Sequence, residues 1–400
     1  MHLDDSRDSF VDHDARNSDL HNAQSGLRAL LCALLCALSC GCGGGGGGSG
    51  AAPPSSPPPS SPTTDSLLAV TNATAGTIDF FTIGTTTGIP TPVANTPMPD
   101  GTTPAAIAID PLKRFLYVVS SSGEIRGYAI DSSTLNLTAV PGSPFSTAAQ
   151  SVAIAVDPSG QFVLTANGSG NSVSVFSVGS TGALTEVTGS PYAAGSNPSA
   201  IAIAGGHTVF AANTTGSSVS AYTLNTASGA LTPAAGSPFA TPGRPNGLVV
   251  DPAGTHLYAS ESQPNEMSGF SIDGTTGALS TIPGSPFAAS FSIKTPVIDA
   301  GGQRLHVANG TAVDCFLVDA KTATLSEIGV SATNGQSSIA LALDGPDNFL
   351  YVLDNLANQL EVFSIDTSNG ALTLISGSPF TLFAGASKLS LGPTAIAVLH

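Results

Sequence analysis

SVAIAVDPSGQFVLTANGSGNSVSVFSVGSTGALTEVTGSPY, residues Ser151 to Tyr192, reads as one complete four-stranded unit with its turns spelled out. It begins with Ile and Val alternating with Ala, so one face carries branched bulk and the other only methyl groups, as suits a strand where neighbouring sheets crowd together. Asp157-Pro158-Ser159-Gly160 follows, with Asp, Pro and Gly at the positions a type I turn prefers, and it reads as a turn rather than a calcium loop. A second apolar strand, the polar loop NGSGN and the strand SVSVFSV come next. Thr-Gly-Ala-Leu at 181–184 turns the chain into a fourth strand, and GSPY closes the unit.

The unit repeats. GSPF begins at Gly142, Gly236, Gly284 and Gly377, and GSPY at Gly189, giving spacings of 47, 47, 48 and, across one missing copy, 93 residues. The aromatic of the third strand counts the copies without a gap: Phe81, Tyr128, Phe176, Tyr222, Phe270, Phe316 and Phe363. Seven copies of four antiparallel strands at 40 to 50 residues each specify an all-β fold, a seven-bladed β-propeller of four-stranded blades. A motif present in nearly every copy is punctuation rather than a binding site, so GSPF is expected to join the outer strand of one blade to the inner strand of the next. The chain ends supply a second test. The repeats open at Ser66–Val70, already in a second strand, and finish with TAIAVLH, an inner strand with nothing after it. Residues 394–399 are therefore expected to complete a blade whose outer three strands lie in 66–97, closing the ring and hiding its edges.

Composition agrees with this reading and excludes some functions. The chain has 400 residues, 45 Gly, 29 Pro and only 10% charged residues, with a formal net charge of −16. Residues 1–40 hold six Asp and three Arg, leaving 8 basic and 21 acidic residues beyond them, a net of −13, which argues against nucleic acid as a partner. Four of the five cysteines fall within 32–42, so the repeats, with Cys315 alone, form no internal disulfide, and Cys315 reads as a buried apolar thiol.

Ahead of the repeats, LRALLCALLCALSC supplies about a dozen mostly apolar residues, enough for a signal-peptide core and too few for a membrane span. Its end, Ala37-Leu38-Ser39-Cys40, resembles a bacterial lipobox. That resemblance implies residues 1–40 as a signal peptide with Cys40 as the lipid anchor, and residues 41–65, rich in Gly, Pro and Ser, as a disordered tether to the propeller of 66–400. The expectation is an exported protein, periplasmic or cell-surface, held to the outer membrane by its N-terminal lipid alone.

FLYVVSS, FVLTANGSGNSVSVFSV and FLYVLDN, set after IAIDP or IAVDP, resemble the bacterial YVTN and lactonase-like seven-bladed propellers of the 6-phosphogluconolactonase-like superfamily over about residues 66–400. The resemblance implies the same fold. It also implies a site on the axial face, where the catalytic relatives use His, Glu, Asp and Arg. Here the segments leading into the inner strands, TTPAAIAIDP, AAQSVAIAVDP, SNPSAIAIAG and RPNGLVVDP, contain no histidine. His207, His256, His306 and His400 occupy different repeat positions and are not expected to converge.

Residues that break the repeat rule on the rim carrying the loops between second and third strands are the candidates for ligand binding: Arg244, Glu261, Glu266, Lys294 and Asp354, with Glu124 and Arg126 beside them. Arg244 and Glu261 are also the candidates for catalysis, since a carboxylate flanked by cations could orient a sugar acid or lactone. No metal set or cofactor motif is present, and a monomer is expected. The leading functional expectation is a binding or scaffold module at the cell envelope for a small molecule, a sugar acid or lactone, or an envelope protein. The alternative is a lactone hydrolase similar to 6-phosphogluconolactonase.

Overall fold

The computed structural model describes residues 66–93, 96–101, 103–147, 150–290, 293–333, 335, 337–382 and 393–399; the expected signal peptide, Cys40, the tether and His400 lie outside them. Seven antiparallel sheets follow one another along the chain. In the sheet built from the quoted stretch, Ser151–Val156 is innermost, and Phe162–Asn167, Ser172–Val178 and Leu184–Glu186 follow outward. Numbered as blades 1 to 7 in chain order, this is blade 3. The inner strands of blades 2 to 7 are Pro104–Ile109, Ser151–Val156, Pro198–Ala204, Pro245–Val250, Pro296–Ile298 and Ser338–Leu343.

Blade 1 is made from both ends of the repeats. Its inner strand is Pro393–Leu399, which pairs antiparallel with Ser66–Asn72, setting Ala397 opposite Ala69 and Val398 opposite Leu68. Each inner strand packs against the next around the circle, and Pro393–Leu399 touches the inner strands of both blade 2 and blade 7. The ring is thus sealed by a strand rather than a covalent bond.

Packing explains the Ile/Ala alternation. Seven apolar clusters lie between successive blades, and none lies within a single blade. Between blades 2 and 3, Phe115, Tyr117 and Val119 meet Val163 and Phe176, with Ala106 and Ala108 at the margin. The Ile107 and Ile109 side chains of that same inner strand pack instead toward blade 1. Burying a Phe or Tyr in such a cluster contributes on the order of 2 kcal/mol, so the blades stabilise one another. The buried tyrosines of the second strands also carry polar ties across these seams. Tyr117 donates to the Gly182 carbonyl at 2.9 Å, Tyr258 to Ala323 at 2.8 Å and Tyr351 to Gly88 at 3.1 Å, the last across the closing seam.

The GSPF segments do more than join blades. In every blade except the sixth, the outer position is divided between two short strands, such as Leu137–Ala139 and Phe145–Ser146 of blade 2, which pair with opposite halves of Glu124–Ile130. Two residues of the third strand are left between the halves. In blade 2 they are Arg126 and Gly127; the Gly127 carbonyl accepts from Val140 N–H at 3.0 Å and its N–H donates to Ser143 Oγ at 3.1 Å. Ser190, Ser237, Ser285 and Ser378 accept in the same way from Val175, Ala221, Gly269 and Val362 at 2.9–3.0 Å. The motif's serine therefore replaces a ladder bond that would otherwise be lost. The ring of Phe145 packs at the margin of the seam with blade 3.

Blade 6, which lacks the motif, has one continuous outer strand, Leu325–Ala332. In its second strand His306 stands opposite Cys315, the place that Tyr258 takes opposite Gly269 in blade 5. His306 is fully buried with Nδ1 3.3 Å from Cys315 Sγ. Burial holds the imidazole's pKa down to about 4 and pushes the thiol's up to about 12, which agrees with an unreactive cysteine. Because the unfolded chain takes up a proton near pH 6.5 and the folded chain only near 4, this histidine's contribution is complete above pH 6.5 and is lost as pH falls. Unfolding free energies measured between pH 7 and 4 should drop by about 3 kcal/mol from this source, and His306→Phe should flatten that slope.

Candidate functional site

The rim that carries the loops between second and third strands is organised by a recurring polar pair. A residue at or just beside the end of the second strand is hydrogen-bonded to a residue of the third: Asn167 donates to Ser174 at 2.9 Å, Asn213 to Ser220 at 2.9 Å, and Asn309 to Asp314 at 2.6 Å. The pair then holds the loop arriving from the preceding blade. Gly195 N–H donates to Ser220 Oγ, and Ser290 N–H to Asp314 Oδ2. These groups are buried and hydrogen-bonded, which is what burial of polar atoms requires.

Glu261 and Asp354 occupy this same slot. Glu261 is fully buried, accepting from Gly243 N–H and from the Ser268 hydroxyl. Its register partner across the hairpin is Glu266, half-buried. Burial raises the Glu261 pKa above the usual carboxylate range, Glu266 adds to the rise, and the two hydrogen bonds oppose it. Asp354, also buried, accepts from Ser337 N–H at 3.1 Å and Ala357 N–H at 2.7 Å. Arg244 is exposed and Lys294 half-buried; among the described residues neither forms an ion pair. The structure thus places Glu261 against another carboxylate and two neutral donors instead of between cations. Its residue type departs from the repeat, while its position and task do not.

Arg126 and Glu124 behave differently. Arg126 lies on the third strand of blade 2, where other blades carry Asp79, Ser174, Ser220, Ser268, Asp314 or Glu361 in the same register. Its Nε is 3.9 Å from Oδ1 of the buried Asp100 and its Nη2 is 3.6 Å from Glu124 Oε2. Asp100 comes from the loop leaving blade 1 and also accepts from Tyr128 Oη at 2.8 Å; burial pushes the phenol's pKa up, so it stays a donor. Arg126 and Glu124 open onto a depression of about 710 Å³ between blades 1 and 2, lined also by Thr74, Thr103 and Ser122. A partly exposed guanidinium, a half-buried carboxylate and hydroxyl groups converge on one concavity here. Such a set of groups can both donate to and accept from the hydroxyls of a ligand.

Among the described residues no cluster of His, Cys, Asp and Glu could hold a metal ion. His207 contacts two carbonyls, those of Gly205 and Gly274, and His256 contacts Asp251 at 3.1 Å. Each is accounted for locally, and with His306 they lie in three different blades.

The family model of the lactonase, 7-bladed beta-propeller, matches residues 68–192 and 185–296, more than half the chain. The chain belongs to the lactonase family of seven-bladed β-propellers. Solved structures similar to this lactonase-family propeller include a candidate 6-phosphogluconolactonase from Bacteroides uniformis, with 18% identity, TM-score 0.73 and coverage of 84% of this chain and 100% of that one. Another from Bacteroides fragilis has 18% identity, TM-score 0.74 and coverage of 86% and 100%. A periplasmic gluconolactonase from Pseudomonas aeruginosa has 20% identity, TM-score 0.70 and coverage of 84% and 99%. At such identities these likenesses speak for the fold alone. No curated protein matched the sequence.

Proposed function

We propose that this lactonase-family propeller is an exported, lipid-tethered protein that binds a neutral sugar lactone at its rim. The observation that carries the reading is the convergence of Arg126, Glu124 and hydroxyl side chains on the depression between blades 1 and 2. Arg126 would donate to ring oxygens and Glu124 accept from sugar hydroxyls. With Asp100 and Glu124 both beside it, the guanidinium charge is largely compensated, so a neutral lactone fits better than a phosphorylated or carboxylated sugar. The N-terminal apolar run and Cys40 support the tether: Cys40→Ala should shift the protein from the membrane pellet to the soluble fraction.

Hydrolysis of the lactone is the second reading, favoured by membership of the lactonase family and by the lactonase names of the similar structures. In that case Arg126 would steady the developing oxyanion while Glu124 takes a proton from the attacking water. A carbon–oxygen bond forms to water, the ring carbon–oxygen bond breaks, and the proton passes to the departing alkoxide.

One experiment addresses both readings. Glucono-1,5-lactone turnover above the spontaneous rate is followed by pH-stat, and glucitol and gluconate binding by calorimetry. Arg126→Ala should weaken glucitol binding by about tenfold or more, and Arg244→Ala should leave it unchanged. Turnover lost in Glu124→Gln would establish hydrolysis. Equal binding by wild type and Arg126→Ala would remove the site.

A further inference from the structure

Blade 6 leaves its edge undivided. In the other six blades the outermost position is split into two short strands separated by a turn with a Pro, as in Leu184–Glu186 and Tyr192–Ala193, and a broken edge of this kind is a poor template for another strand. Leu325–Ala332 instead runs as one strand of eight residues with a single bulge at Ile328, contains no Pro, Lys or Arg, and has no strand paired to its outer side among the described residues. Half of the exposed large hydrophobic residues of the described chain lie in this blade: Leu317, Ile328 and Val330, from a set that otherwise holds Ile89, Leu112 and Leu356. Beside the edge lies a groove of about 300 Å³, with Ile328 and Val330 on one wall and Leu372 of blade 7 on the other.

We propose that this edge is the interface for a second copy of the chain, pairing antiparallel about a two-fold axis so that the two blade 6 sheets become one. The strand itself argues for a copy as the occupant. Its sequence, LSEIGVSA, is close to self-complementary when the axis passes through Gly329. Ile328 then stands opposite the copy's Val330, Glu327 opposite Ser331 and Ser326 opposite Ala332. The single charge, Glu327, is thereby kept from facing its own copy, as it would in a pairing centred on residue 327. A carboxylate facing a hydroxyl and two apolar pairs flanking a glycine satisfy the edge without a cation, and this segment has none to offer. The monomer expected from the sequence would then be the dilute form.

Sedimentation velocity on the purified full chain, from low to high micromolar concentration, tests this. A monomer–dimer equilibrium is expected. It should strengthen when salt is raised, because each copy carries a strong negative charge and the interface gains nothing from ion pairs. Val330→Lys and Ile328→Lys should each weaken the dimer by about tenfold or more, whereas Leu112→Lys, on an exposed turn of blade 2, should not. Unchanged thermal unfolding of the monomeric form shows that the variants still fold. A wild type that stays monomeric at every concentration and salt level overturns the proposal and leaves the edge to a different partner. So does a dimer that the two blade 6 substitutions do not weaken.

Discussion

Removal of residues 393–400 is expected to abolish the single cooperative unfolding transition of the propeller. Pro393–Leu399 is the inner strand of blade 1, paired along Ser66–Asn72 and packed against the inner strands of blades 2 and 7. Without it the second strand of blade 1 loses a ladder of backbone bonds at roughly 1 kcal/mol each. The cluster of the closing seam loses the partly buried Ile396 and Val398, each contributing on the order of 1 kcal/mol. Together these approach the whole ~5–15 kcal/mol by which a folded domain exceeds its unfolded chain. The remaining blades would form an open array in which each interface reports only on its neighbours, so denaturant unfolding followed by tyrosine fluorescence should broaden and split. Tyr351→Phe is the contrasting case. It removes one hydrogen bond across the same seam, to Gly88, and should lower stability by about 1 kcal/mol while leaving one sharp transition. A sharp transition in the truncated chain would mean that closure does not depend on this strand.

The fold was legible because its determinants are local and repeated: a period of about 47 residues, type I turns at Asp-Pro-x-Gly, and a third-strand aromatic in all seven copies. The pairing of the two chain ends was legible too, since each fragment lacks the strand the other supplies. The role of the serine in GSPF was not. It depends on which N–H the hydroxyl meets, and Gly127, Val175, Ala221, Gly269 and Val362 share no side chain that would mark them. The site residues divide along a similar line. Glu261 and Asp354 stood out as exceptions by residue type, yet type is a poor guide where the repeat conserves a slot, and Asn167 and Asn213 fill that slot with the same task. Arg126 stood out for the same reason, and the proposed binding site is built around it. Its ion-pair neighbour Asp100, on the loop from another blade, becomes visible only once the sheets are stacked.

Glu261 gives the second large effect, and its sign depends on the substitution. Glu261→Ala removes the acceptor for both Gly243 N–H and the Ser268 hydroxyl and opens a cavity, at a cost of roughly 2–4 kcal/mol. Glu261→Gln keeps the shape: its carbonyl can accept from Gly243 while its amide donates to Ser268 Oγ. The amide also carries no charge to desolvate and none to repel Glu266. Because the folded carboxyl has its pKa raised above the ordinary 4.5, its favourable contribution is complete below that pH and is lost as pH rises through the folded value. The wild type should therefore lose stability on going from pH 5 to 8 by this route, opposite in direction to the loss that His306 causes on acidification. Chemical denaturation of both variants across that range separates the two contributions. Glu261→Gln should match the wild type at pH 5 and exceed it at pH 8, while Glu261→Ala should fall below it throughout. Should Glu261→Gln instead prove as damaging as Glu261→Ala at pH 8, the ionised carboxylate itself would be what holds the 241–244 loop, and the charge at this rim would be structural in a way that neutral Asn167 and Asn213 are not.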